Sequence, residues 1–74
     1  MNAPVTGSIG LIWSGAYRVF IKCPKEIQYG HASGATGTAL SKLAANDKMA
    51  LPVGRPTYAF TTDGSTSQVE IYEL

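Results

Sequence analysis

Cys23, His31 and one of Asp47 or Asp63 are the residue types of a nucleophile, a general base and the carboxylate that orients it. A cysteine attacks as its thiolate, which requires an electropositive and partly exposed setting. Lys22 and Lys25 flank Cys23, but Pro24 follows it directly at the end of an apolar run, and that position reads as structural. Cys23 and His31 are also the only cysteine and the only histidine. A closed zinc site takes about four ligands, and a lone cysteine allows no intrachain disulfide. A chain of 74 residues also has little room for a ligand pocket of about 300 Å3 or more. The expectation is a protein that is not an enzyme, with no catalytic residue, no cofactor and no metal.

The stretch Gly30 to Gly37, GHASGATG, frees backbone amides as a phosphate-binding loop would. A P-loop sets a lysine between its last glycine and the hydroxyl residue, whereas Thr38 follows Gly37 directly. The plainer reading is a surface loop, or a loop that orders against a partner. Glu70 and Glu73 are poorly placed as paired acids, because residues three apart on a strand point to opposite faces. They read as solvated charges that guard an edge.

Among the seven aromatic residues, only Tyr17-Arg18 with Phe20-Lys22 sets rings beside basic side chains, the pairing on which bases stack. Core packing and interface anchoring account for the same residues. Arg18, Lys22, Lys25, Lys42, Lys48 and Arg55 form no run, and six bases against five acids leave a net charge of +1. Nucleic-acid binders concentrate positive charge against phosphates, so no nucleic-acid partner is expected.

Short strands are the elements that must position these residues. Met1 to Ser8 reads as an extended arm, with Pro4 opposing helix and Gly7 adding freedom. Residues 9–74 read as one β domain. Ile9 to Trp13 is a strand closed by Ser14-Gly15. Ala16 to Lys22 follows, with Tyr17, Val19 and Ile21 on one face and Arg18, Phe20 and Lys22 on the other. Ile27 to Tyr29 suits a further short strand. Residues 38–46 admit two readings. Leu40, Leu43 and Ala44 would share a helix stripe, while Thr38 to Leu40 followed by a turn at Ala45 to Lys48 would be strand and turn, which we favour. Met49 to Val53 contains Pro52, which confines it to an edge or a bulge. Thr57 to Thr62 and Gln68 to Leu74 have strong β propensity and flank Asp63-Gly64, a hairpin signal. The expected fold is all-β, a small barrel or sandwich of five to six mostly antiparallel strands with an extended N-terminal arm.

A single domain of this size buries only about 60% of its unfolded surface, and without an internal staple it is expected to draw stability from assembly. Charged residues make up 15%, below the usual ~25%, which also suits a packed environment. No basic residue precedes Arg18, so no secretory signal is expected. The apolar run Ile9 to Trp13 is far short of the ~20 residues of a membrane span. Synthesis in a reducing cytoplasm fits the lone cysteine.

From Gly37 onward the parts are Gly37 to Leu40, a small polar turn at Ala45 to Lys48, the apolar Met49 to Val53, Gly54-Arg55 with Ala59, Asp63-Gly64, and a closing Val69 to Leu74. This layout, covering about half of the chain, resembles that of small phage head-decoration (cement) proteins. The resemblance implies a non-catalytic protein on the outer surface of a capsid, bound to the major capsid protein and bridging its subunits. It also implies a homo-oligomer, a trimer among the options, located on the virion after synthesis in the host cytoplasm. In that role the arm would add a strand to a neighbour's sheet edge. Val5, Ile9, Leu11, Ile12, Trp13, Arg55 and Tyr58 would form the partner interface. A small inhibitor or interaction module acting on a host protein is the alternative, with a small β-barrel nucleic-acid binder behind it.

Overall fold

The computed structural model describes residues 1–31 and 40–74. Most of the glycine-rich loop expected over Gly30 to Gly37, together with Thr38 and Ala39, lies outside the described residues. Among the described residues eight strands form, β1 (Asn2–Val5), β2 (Gly10–Trp13), β3 (Val19–Lys22), β4 (Ile27–Gly30), β5 (Ser41–Leu43), β6 (Lys48–Leu51), β7 (Thr57–Thr61) and β8 (Ser67–Glu73). They build two four-stranded antiparallel sheets, the first in the order β1-β8-β3-β6 and the second in the order β2-β7-β4-β5. The all-β class is as expected, and the architecture is a sandwich of two open sheets rather than a closed barrel.

Alternation decides what each strand buries. Val19 and Ile21 of β3 and Val69 and Ile71 of β8 point into the space between the sheets, joined by Val5 and Leu51 from neighbouring strands and met by Ile27 and Leu43 from the second sheet. β7, central in the second sheet, turns only Thr57, Ala59 and Thr61 inward. These small residues leave room for bulk from β2. There the register with β7 slips between Leu11 and Trp13, so that two residues oppose one. The slip turns both Ile12 and Trp13 inward, at 4% and 8% exposure.

Three expectations are corrected. The arm is extended over 2–5, but it is not free. It forms β1, paired with β8 from Asn2↔Glu70 to Val5↔Ser67, and it places Val5 in the core at 2% exposure. This strand, with the short ladders of β4 and β5, raises the count from five or six to eight. The favoured strand-and-turn reading of 38–46 holds, but the strand lies at Ser41–Leu43 rather than ending at Leu40, with the turn following at Ala45-Asn46. Asn46 holds φ at 68°, a conformation asparagine tolerates better than most residues.

The Asp63-Gly64 turn is present, with Gly64 at φ 79° and Asp63 Oδ1 accepting from the Ser65 amide at 2.9 Å. It does not close a hairpin, because β7 lies in the second sheet and β8 in the first. Among the described residues, only β4 and β5 are successive strands paired with each other. Every other connection crosses between the sheets.

Candidate functional site

The register between β2 and β7 sets the outward surface of the second sheet. Gly10 faces Ala59 and Leu11 faces Tyr58. Ala59 is buried, so the Leu11 and Tyr58 pair points to the opposite, outer side. Phe60, two residues along β7 from Tyr58, shares that side and stands opposite Gln28 of β4. Ile9 sits two residues before Leu11, immediately ahead of β2, where the alternation of the strand continued by one step puts it on the same side. Leu11 is 53% exposed, while Ile9, Tyr58 and Phe60 are half-buried. Gly30, opposite Tyr58 on β4, adds no side chain. Four large apolar residues therefore share one face, with Gln28 and Lys42 as its polar flank.

The structure divides the seven interface residues expected from the sequence. Ile9, Leu11 and Tyr58 come together on this face. Val5, Ile12 and Trp13 are core residues, so the partner interface assigned to them is corrected: their side chains hold the two sheets together. Arg55 is exposed on the connection between β6 and β7, where the neighbouring Gly54 amide donates to the Gly15 carbonyl at 2.8 Å. Phe60 was not among the expected residues. The signal for it lay in Thr57 to Thr61, where alternation around a small Ala59 puts both aromatics on one side.

The edges of the sandwich are blunted, each by a different device. β1 carries Pro4, which has no amide hydrogen to offer. β2 is interrupted by its register slip. β5 has three residues with Lys42 at its centre, and β6 begins at Lys48 and is followed by Pro52. Such features oppose strand addition. Faces, not edges, are the surfaces this fold offers.

The residues considered for chemistry are kept apart. Cys23 precedes β4 and His31 follows it, so the four residues of that strand, about 13 Å long, separate them. Cys23 is buried, its Sγ 3.8 Å from Ser67 Oγ. His31 Nδ1 lies 3.2 Å from the hydroxyl of the fully buried Thr57. Asp63 pairs with Lys25 at 3.5 Å and takes the Ser65 hydroxyl at 2.6 Å. Hydrogen bonds from the Ser65 side chain and backbone, with Lys25 adding a smaller part, hold its carboxyl below the usual aspartate range. Among the described residues no three His, Cys, Asp or Glu side chains cluster closely enough to hold a metal ion. No helix there is long and apolar enough to cross a membrane.

Tyr17, expected on the inner face of β3, lies before that strand. Its ring stands edge-on to Trp13 at 4.9 Å, and its carbonyl accepts from Trp13 Nε1 at 3.2 Å. The sequence matches no family model, and no curated protein and no solved structure is similar to it.

Proposed function

We propose that this chain is a non-catalytic structural protein that docks by the outer face of its second sheet onto another protein. In the specific form we favour, that partner is the major capsid protein of a phage-like particle, bound at the outer surface. The observation that carries the docking reading is the gathering of Ile9, Leu11, Tyr58 and Phe60 on one side of β2 and β7. Aromatic and aliphatic side chains of this kind supply most of the affinity of protein interfaces when they fill pockets on a partner. Arg55, exposed nearby in sequence to Tyr58, suits the rim of such a contact.

The capsid assignment adds the resemblance of residues 37–74 to head-decoration proteins. A repetitive shell also suits a small module, since many weak copies hold through multivalency. A trimer would bring three such faces onto neighbouring capsid subunits. The inhibitor reading uses the same face on a single host protein. Density-gradient sedimentation of lysate carrying the particles distinguishes them. Co-migration with intact particles at a fixed ratio to the capsid protein, lost on Leu11→Asp, supports decoration. Recovery in light fractions with one soluble partner sinks decoration and favours the inhibitor reading.

A further inference from the structure

The opposite side of the sandwich carries a different surface. On the outer face of the first sheet, Phe20 of β3 sits directly across from Tyr72 of β8. Their rings stack with centroids 4.9 Å apart and planes 16° from parallel. Lys48 of β6 places its Nζ 5.7 Å from the Phe20 centroid, near enough for cation–π attraction. Lys22 faces Lys48 across the β3–β6 pairing and Glu70 across the β3–β8 pairing, and Arg18, two residues before Phe20, is exposed immediately ahead of the strand. The Tyr72 hydroxyl donates to the Glu70 carboxylate.

The bases that look scattered along the chain are therefore sorted by the fold. Three cations, Arg18, Lys22 and Lys48, share this face with one carboxylate, Glu70. Elsewhere the other three bases are outnumbered by four acids. Within a polypeptide of net charge +1, this face thus carries more positive than negative charge. Alternate residues of a strand lie about 7 Å apart, so Phe20 and Lys22 set ring and cation at a spacing on the scale of successive nucleotides in an extended strand, with Arg18 just ahead of β3 adding a second cation. Rings standing beside cations are the two elements that bind single strands without reading sequence.

The geometry points to a single-stranded nucleic acid as the occupant of this face. One base stacks against the exposed side of Tyr72, which is 43% exposed, and neighbouring phosphates meet Arg18, Lys22 and Lys48. The inference is independent of the capsid reading, since it uses the opposite sheet. A nucleic-acid partner was not expected from the sequence because the three cations are far apart along it.

The test is fluorescence anisotropy of labelled oligo-dT and oligo-U with the full chain, titrated at several salt concentrations. Saturable binding at low salt is expected, weakening with a log–log slope of roughly −2 for three phosphate contacts. Tyr72→Leu should weaken binding about fivefold or more while leaving the slope unchanged. The Lys22→Gln, Lys48→Gln double variant should flatten the slope, and Glu70→Gln should tighten binding. All four sites are on the surface, and an unchanged thermal midpoint confirms that each variant folds. No saturable binding at low salt overturns the inference. So does equal binding of dextran sulfate with no effect of Tyr72→Leu, an outcome that would assign the face to an acidic protein partner.

Discussion

Gly15 packs its Cα against the backbone of Arg55. A Cβ at Gly15 would stand 2.5 Å from the Arg55 carbonyl oxygen and 2.7 Å from its amide nitrogen. Gly15 also holds φ at 87°, and its carbonyl accepts from the Gly54 amide at 2.8 Å. This approach ties the β2–β3 connection to the β6–β7 connection at one end of the sandwich, where Arg55 is presented. Two separate constraints, conformation and space, thus require glycine at one position.

Gly54 isolates the first constraint, because it has φ of 84° but no atom within 4 Å of the Cβ it lacks. Gly54→Ala should cost about 1 kcal/mol, the usual penalty for a left-handed alanine. Gly15→Ala adds the forced separation of two backbones, and we expect a loss of about 3 kcal/mol or more. Urea unfolding of both variants measures the difference. Equal losses would show that the two connections part without cost, and the tie between them would carry no weight.

The Thr57–His31 contact predicts an asymmetry. Thr57→Val removes a buried hydroxyl and leaves a half-exposed imidazole that can turn to water, a loss of about 1 kcal/mol. His31→Ala removes the more exposed partner, yet it strands the hydroxyl of a residue with no exposure at all. An unsatisfied buried group of that kind costs about 1–3 kcal/mol. His31→Ala should therefore be the more destabilising change, with the double variant recovering part of the loss. A larger loss from Thr57→Val, or strict additivity, would mean that the contact does not support the fold.

Acid should weaken the protein in part through Asp63. Its carboxyl is held below the ordinary value in the folded chain by Ser65 first and Lys25 second. A depressed folded pKa gives a contribution that is complete above the unfolded pKa, about 3.9, and is lost as the pH falls through the folded value. The thermal midpoint of the wild type should therefore exceed that of Asp63→Asn by a constant amount above about pH 5. The gap should close as the pH falls below about 4. Added salt should change it little, since the Ser65 hydrogen bonds are local and only the Lys25 part is screened. A gap that persists unchanged into strong acid would remove Asp63 as the cause.

Period-2 alternation made β3 and β8 legible in the sequence, since Val19, Ile21, Val69 and Ile71 are all core residues. Pro52 pointed to an edge or a bulge, and β6, which ends just before it, is an edge strand. What alternation cannot convey is which sheet a strand joins. Asp63-Gly64 has the chemistry of a tight turn whether the following strand returns beside β7 or crosses over, and here it crosses. Pairing across sequence distance is equally silent. Lys22 and Lys48 meet only because β3 and β6 are neighbours. The register slip in β2 is a third case, because Ile9, Leu11, Ile12 and Trp13 form one apolar run. The slip alone decides that the last two enter the core while Leu11 stays outside.

That division gives the sharpest contrast between stability and docking. Val5 and Leu11 are both aliphatic residues of edge strands, and both were expected at the partner interface. Val5 is 2% exposed and Leu11 53%. Val5→Ala should cost about 2 kcal/mol from two lost carbons and the cavity they leave, and Val5→Asp should prevent folding by burying an unpaired charge. Leu11→Asp should cost only about 1 kcal/mol and leave the protein folded, because about half of the side chain is already in water and the loss is the remaining contact with the poorer strand propensity of aspartate. In a particle-binding assay the order reverses. Leu11→Asp should abolish attachment, whereas Val5→Ala, at a temperature where it is still folded, should attach as the wild type does. Attachment that survives Leu11→Asp but fails in folded Val5→Ala would return the docking role to the first strand and take it from the face of β2 and β7.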